Sequence, residues 1–179
     1  MKKNKTKIKP KYFLIDVDGV MTDGKLYYTK EGKIMKVFGP DDSDALNILE
    51  NFIKIIFISG DKRGFEISKK RIVDDMGFSL EQVSTVKRME YIKKIADPSE
   101  IIYMGDGIFD HYVFQEVGYS ICPYDGFYLT KKRANFVTKA MGGNRAVAEA
   151  CLHILEKFFG PYDHNKPLKK FQANIGWKA

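Results

Sequence analysis

Two aspartates separated by a single residue, Asp16 and Asp18, follow directly on the apolar run of residues 12–15. A short apolar run of this kind indicates a buried strand, and Gly19 after the pair indicates that the strand ends in a loop. Two carboxylates so close in sequence repel each other unless a cation or a bound proton offsets their charge. Because Mg²⁺ prefers carboxylate oxygens and works beside phosphate groups, the pair predicts a Mg²⁺ site suited to phosphate chemistry.

The elements that position this pair follow from the alternation of apolar runs with helical patterns. Strands are predicted at residues 12–15, 54–58, 83–84, 101–104, 119–121 and 136–137, and helices at 42–52, 65–76, 87–96, 108–117 and 145–159. Two β-prone stretches around Gly32, residues 25–28 and 34–38, predict a hairpin. The alternation favours βαβ units, and therefore an α/β, Rossmann-like doubly wound, mainly parallel sheet with helices on both faces and a protruding β-hairpin.

Polar residues follow two further predicted strands. Ser59 comes after residues 54–58, and Asp106 comes after residues 101–104. Because ligands of open α/β sheets bind outside the carboxyl ends of the strands, we expect Asp16, Asp18, Ser59 and Asp106 to meet there.

The same residues carry a resemblance to a known family. The run from Asp16 to Val20, followed by Thr22-Asp23-Gly24, resembles the first motif of the haloacid dehalogenase phosphatases. The second, third and fourth motifs are matched in order, by Ser59, by Lys87 and by Gly105-Asp106 with Asp110. The match runs from about residue 12 to residue 159, and four ordered motifs are far more specific than one.

The resemblance implies a role for each matched residue. Asp16 is the expected nucleophile, Asp18 the acid and base, and Ser59 and Lys87 the groups that bind the transferring phosphoryl group. It implies that Mg²⁺ is held by Asp16, the backbone carbonyl of Asp18 and Asp106, with Asp110 and Gly60 in supporting positions.

The stretches between the motifs are too short for a large cap domain. The chain therefore resembles the capless branch of the family, which acts on sugar-acid phosphates such as 3-deoxy-D-manno-octulosonate 8-phosphate or nonulosonate 9-phosphates. In that branch the hairpins assemble a homotetramer whose neighbouring subunits complete each site.

Three departures from the pattern of that branch bear on the substrate. Acidic Asp41 and Asp61 stand where the branch usually has arginines, and Gly107 replaces a carboxylate of the fourth motif. Bidentate recognition of a substrate carboxylate by arginine is therefore absent at two positions. The cations expected to compensate, as candidates for substrate binding, are Lys62, Arg63 and Arg145.

Composition excludes several other classes of protein. The net charge of +7 lies largely in lysines near the two ends, with no nucleic-acid recognition motif, so neither a nucleic-acid nor a membrane partner is expected. No apolar run is long enough for a membrane span, and two cysteines without metal-site spacing indicate a reducing cytoplasm. We expect a basic leader at residues 1–11, a phosphatase domain at 12–160 with a hairpin flap at about 25–38, and a tail at 161–179.

Two alternatives stay open at the level of sequence. A receiver-like signalling module also uses acidic residues, a hydroxyl and a lysine around a phospho-aspartate, but its acidic metal-binding pair precedes the phosphorylated residue on an earlier strand. A weakened, non-catalytic assembly protein of the same fold is suggested by the changes at Asp41, Asp61 and Gly107.

Overall fold

The centre of the protein is a six-stranded, fully parallel sheet. A computed structural model describes residues 9–165, so residues 1–8 of the predicted leader and residues 166–179 of the predicted tail lie outside the description. The strands are β1 (Tyr12–Asp16), β4 (Lys54–Ser59), β5 (Ser79–Gln82), β6 (Ile101–Met104), β7 (Tyr119–Cys122) and β8 (Phe136–Val137). Their spatial order is β5-β4-β1-β6-β7-β8, which makes β1 a central strand flanked by β4 and β6.

Helices connect these strands. They are α1 (Asp42–Leu49), α2 (Phe65–Lys69, continued by a wider turn over Lys70–Asp75), α3 (Arg88–Ile95), α4 (Asp110–Glu116), α5 (Tyr128–Lys131) and α6 (Ala146–Ile154, continued over Leu155–Phe159). Short 3₁₀ turns cover Thr85–Lys87 and Pro98–Glu100.

Helices pack on both faces of the sheet, and β1 shows why. Successive strand residues point to opposite faces, so Phe13 and Ile15 lie in one buried cluster and Leu14 lies in another. The first cluster is completed by residues of α1 and α6, and the second by residues of α3 and α4 such as Ile92 and Val113. The predicted doubly wound α/β fold is confirmed.

A separate two-stranded hairpin joins β1 to α1. It consists of β2 (Tyr27–Thr29) and β3 (Gly32–Met35), which pair in antiparallel fashion with an irregularity at Tyr27 and Tyr28. Within residues 9–165 this hairpin is the only insertion between β1 and β4 besides α1, and no large cap domain is present.

Several sequence-based predictions of element bounds are wrong in detail, and α5 was not predicted. The strand predicted at residues 83–84 lies at Ser79–Gln82, because the chain turns at Gly77 and pairs with β4 at once. The helix predicted from residue 87 begins at Arg88, after the 3₁₀ turn. The domain bounds stay predictions. Among the described residues, no helix combines the length and apolar character needed to cross a bilayer.

Candidate active site

The turn after β1 is shaped by a glycine with a left-handed backbone. Gly19 has φ +87°, a conformation that side chains with a Cβ rarely adopt. A Cβ on Gly19 would also lie 2.1 Å from Oδ2 of Asp106, so its absence lets Asp106 lean over the turn. The Thr22 hydroxyl accepts hydrogen bonds from the backbone N–H groups of Gly19 (3.3 Å) and Gly24 (3.4 Å), which fastens the loop.

Three carboxylates converge beside this turn. One oxygen each of Asp16, Asp106 and Asp110 lies within 4.8 Å of the others. Burial, reinforced by Asp110 and Asp18 and opposed by Arg88, raises the pKa of Asp16 to about 7. Burial together with the charges of Asp16 and Asp110 raises the pKa of Asp106 to about 8. Crowded, buried carboxylates of this kind are stabilised by a divalent cation, and hard oxygen donors fit Mg²⁺.

The cation that the structure places beside Asp16 is Arg88, and the role expected for Lys87 stays a prediction. Nη2 of Arg88 lies 2.7 Å from Oδ2 of Asp16, and its Nη1 pairs with Asp110 and donates to the Tyr103 hydroxyl at 2.6 Å. Burial opposes the guanidinium charge, but these partners outweigh it and raise the pKa of Arg88. Lys87 is exposed on the preceding 3₁₀ turn and does not line the cleft. Arg88, the first residue of α3, is buried, whereas Lys87 is not.

Asp110 holds Arg88 and the loop after β6 in place. It is fully buried at the start of α4. Its Oδ1 accepts from Arg88 and from the Tyr103 hydroxyl (2.8 Å), and its Oδ2 accepts from the Gly107 N–H (2.8 Å). Both oxygens of Asp110 are therefore engaged by protein groups, and so are those of Asp16, whose Oδ1 accepts from the Val17 N–H at 2.9 Å and whose Oδ2 pairs with Arg88.

Ser59 and Asp18 face each other across the ends of β4 and β1. The buried Ser59 hydroxyl donates to Oδ2 of Asp18 at 3.0 Å and accepts from the Asp61 N–H at 3.1 Å. Asp18 is partly exposed toward the cleft, and Gly60 lines that cleft. The structure therefore brings together Asp16, Asp18, Ser59 and Asp106, which the strand ends predicted, and also Gly60 and Asp110, which the resemblance placed in supporting positions.

Two lysines of the hairpin region were missed by the sequence analysis. Lys36 pairs with Asp18 (2.7 Å) and with Asp61 (3.0 Å), and Lys33 also pairs with Asp61. Burial opposes ionisation of Asp61, but hydrogen bonds from both lysines and from the Gly64 N–H lower its pKa to about 2. The acidic departure at position 61 was the available signal, because a buried carboxylate needs a cationic partner.

The three candidate substrate-binding cations are not brought to the cleft. Lys62 and Arg63 are exposed in the loop after β4, and neither lines it. Nε of Arg145 instead pairs at 2.6 Å with Asp41, and both residues have left-handed backbones. The neighbouring Asp42 is buried and accepts the Ala148 N–H at 2.8 Å, so the acidic run at 41–42 fixes the start of α6.

The cleft above these residues has a volume of about 410 Å³, a size suited to a small organic phosphate. Its floor is acidic and contains Arg88. Its rim is supplied by the hairpin and by the loop before α4, and the rim residues are Leu26, Tyr28, Lys33, Ile108 and Phe109.

Comparisons with known proteins show the family of this chain and agree with its fold. No family model matches the sequence. A 3-deoxy-D-manno-octulosonate 8-phosphate phosphatase of Yersinia pestis is 31% identical over 148 residues, which cover 79% of this chain and 78% of the relative. The chain thus belongs to the haloacid dehalogenase superfamily, in the family of the 3-deoxy-D-manno-octulosonate 8-phosphate phosphatases, and it is a phosphoric monoester hydrolase.

Two solved structures share the fold. The 3-deoxy-D-manno-octulosonate 8-phosphate phosphatase of Moraxella catarrhalis, in complex with magnesium, phosphate and KDO, matches with a TM-score of 0.73 and 29% identity, covering 86% of this chain and 90% of that one. The cobalt-bound deoxy-D-mannose-octulosonate 8-phosphate phosphatase of Haemophilus influenzae matches with a TM-score of 0.73 and 26% identity, covering 85% and 91%. These relatives favour the phosphatase over the receiver-like module.

Proposed function

We propose that this protein is a Mg²⁺-dependent phosphomonoesterase that hydrolyses a small sugar-acid phosphate through a phosphorylated Asp16. The observation that carries the proposal is the position of Asp16, which touches Arg88 at 2.7 Å and shares a cluster with Asp106 at the floor of an open cleft. A nucleophile for phosphoryl transfer needs positive charge on both sides of the incoming phosphate, and this arrangement can supply it.

The first chemical step forms a bond between an oxygen of Asp16 and phosphorus. The bond from phosphorus to the substrate oxygen breaks, and Asp18 gives that oxygen a proton. In the second step Asp18 takes a proton from water, the water oxygen attacks phosphorus, and the bond to Asp16 breaks. The products are the dephosphorylated sugar, inorganic phosphate and the restored Asp16.

The charge that accumulates on the phosphoryl oxygens is met from several directions. Arg88 presents a guanidinium fixed by Asp110, and Ser59 presents a hydroxyl near Asp18. We propose that Asp16, the backbone carbonyl of Asp18 and Asp106 hold Mg²⁺, which neutralises phosphate charge when bound. The solved relatives with magnesium and cobalt support a metal in this fold.

The substrate class rests on the relatives and on the cleft. The relatives are named for an octulosonate phosphate, and a nonulosonate 9-phosphate is of the same chemical type. Lys33 lines the cleft and is a candidate to face the sugar acid. It also pairs with Asp61, as Lys36 does. Contact of Lys62, Arg63 or Arg145 with substrate stays a prediction. In an oligomer, a neighbouring subunit would change which side chains reach the cleft.

We further propose a homotetramer in which the hairpin is covered by another subunit. Several of its apolar side chains are exposed, with Leu26 at 58%, Ile34 at 57% and Tyr28 at 51%. Such a patch marks an interaction surface, and Leu26 and Tyr28 also line the cleft. The solution mass, measured by light scattering, tests this, and a monomer at micromolar concentration would contradict it. The cytoplasmic location stays a prediction.

The central experiment compares wild type with Asp16→Asn on a panel of octulosonate, nonulosonate and heptose phosphates with Mg²⁺. Wild type should release phosphate from at least one sugar-acid phosphate, and Asp16→Asn should release none. Unchanged turnover in Asp16→Asn would refute the nucleophile. No wild-type turnover on any member, with Mg²⁺ bound, would favour the weakened assembly protein suggested by Gly107.

A further inference from the structure

Lys36 is a buried lysine whose hydrogen-bonding capacity is fully used. It follows β3 directly, and its side chain is 1% exposed. Its Nζ lies 2.7 Å from Oδ1 of Asp18, 3.0 Å from Oδ2 of Asp61 and 2.8 Å from the Ser68 hydroxyl oxygen. An ammonium group has three N–H donors, so each finds one acceptor, and the acceptors come from three separate segments of the chain.

The surrounding backbone is shaped to admit this side chain. A Cβ on Gly64 would lie 2.3 Å from Oδ2 of Asp61, 2.7 Å from Cδ of Lys33 and 2.8 Å from Cε of Lys36. Any other residue at position 64 would displace both lysines. The Gly64 N–H also donates to Oδ1 of Asp61 at 3.1 Å, which fixes the carboxylate that the lysines share. The chain thus provides a built pocket for the lysine ammonium groups.

The contact with Asp18 fixes that carboxylate from the side opposite Ser59. Lys36 holds Oδ1, and the Ser59 hydroxyl donates to Oδ2 at 3.0 Å. Ser59 is the last residue of β4 in the central sheet, whereas Lys36 directly follows β3 of the hairpin. The orientation of Asp18 therefore depends on the hairpin being docked against the loop after β4.

We infer that Lys36 is a positioning residue for Asp18, and that through it the docked hairpin sets the proton donor toward the leaving group. This inference rests on the proposed function, because it assigns a task to the acid of that reaction. A neutral residue at position 36 would leave Asp18 with Ser59 as its only described side-chain partner and free to rotate away from the leaving oxygen.

The inference predicts a dependence on the leaving group. A sugar alkoxide must receive a proton as it departs, whereas the nitrophenolate of 4-nitrophenyl phosphate departs without one. Lys36→Met should therefore lower kcat/KM, which reports the formation of phosphorylated Asp16 and not its later hydrolysis, by about 10²-fold on the sugar-acid phosphate and far less on 4-nitrophenyl phosphate. A purely structural role would lower both by the same factor.

Lys30→Met is the matched control. Lys30 lies in the same hairpin, and its side chain is 92% exposed beside Glu31. Its kcat on both substrates should stay within about twofold of wild type, because exposed ion pairs contribute little. Lys36→Gln, which keeps a donor without the charge, provides the measurement if Lys36→Met fails to fold, and Lys36→Arg should restore part of the lost kcat/KM on the sugar-acid phosphate.

A double variant separates positioning of Asp18 from other effects. In an Asp18→Asn background, Lys36→Met should cause little further loss on the sugar-acid phosphate, since the two residues act as one unit. Equal losses on both substrates, or additive losses in the double variant, would overturn the inference while leaving the phosphatase intact. If wild type turned over neither substrate, the proposed function would be overturned, and this inference with it.

Discussion

Arg88 donates from Nη2 to Oδ2 of Asp16 over 2.7 Å, and both side chains are at least nine-tenths buried. The guanidinium is fixed at its other nitrogen by Asp110 and Tyr103. A buried ion pair of this kind stabilises the protein only while both partners are present. The relationship ties the proposed nucleophile to α3 and α4, so the integrity of the site and the stability of the fold depend on the same contact.

Replacement of Arg88 by methionine should therefore affect both properties. It leaves Asp16 and Asp110 buried without their cation, and we expect a loss of roughly 3–5 kcal/mol in the free energy of unfolding. Phosphatase activity should fall by at least about 10²-fold, because a charge that faces the transferring phosphoryl group is lost. Urea unfolding and initial rates with Mg²⁺ measure the two effects.

Lys87→Met is the control for that experiment. Lys87 is exposed, so its replacement should change stability by no more than about 0.5 kcal/mol and leave turnover near wild type. The reverse pattern, with activity lost in Lys87→Met and kept in Arg88→Met, would restore the assignment based on the motif order.

The positions of these two residues show what the sequence could and could not predict. The sheet and the strand ends that carry Asp16, Ser59 and Asp106 follow from short apolar runs that stop at polar residues. A Lys-Arg pair at the start of a helix does not reveal which cation points inward. The helical period offers a signal, because Arg88 lies four residues before Ile92, which is fully buried.

For the hairpin lysines, Asp61 signalled the need for a cation but not which cation would meet it. The pairing of Lys33 and Lys36 with Asp61 joins segments that are distant in sequence, and a short hairpin has no strict pattern that says which side chains point toward the sheet. The same applies to the pairing of Arg145 with Asp41. Both acidic departures are neutralised by partners that only the folded chain brings near.

Stability without metal should fall as the pH rises toward 8. The folded-state pKa values of Asp16 and Asp106 are raised to about 7 and about 8 from 3.8. The folded protein therefore holds protons that the unfolded chain has lost, and between about pH 4 and pH 8 the stability declines with pH. Metal removal followed by thermal melts across this range tests the direction.

Mg²⁺ should reverse part of this decline. It competes with protons for the same carboxylates, so the rise in Tm on adding Mg²⁺ should be larger at pH 8 than at pH 6. Asp106→Asn should lose most of that rise. An equal shift at both pH values in wild type would contradict a metal site built on these carboxylates.

Gly19→Ala should weaken metal binding and stability at once. The left-handed φ of +87° costs a residue with a Cβ roughly 1–2 kcal/mol. The new methyl group would in addition lie 2.1 Å from Oδ2 of Asp106, so the Asp106 carboxylate must shift from its place in the cluster. We expect lower stability, a smaller rise in Tm with Mg²⁺ and a lower rate.

Gly77→Ala isolates the backbone part of that effect. Gly77 has φ +79°, and a Cβ there would meet nothing within 4 Å. Gly77→Ala should lower the free energy of unfolding by a similar amount, roughly 1–2 kcal/mol. It should keep the Mg²⁺-dependent rise in Tm and the turnover of wild type. The difference between the two variants measures the displacement of Asp106. If both variants respond to Mg²⁺ alike, Asp106 does not depend on the open space over Gly19 for its place in the metal site.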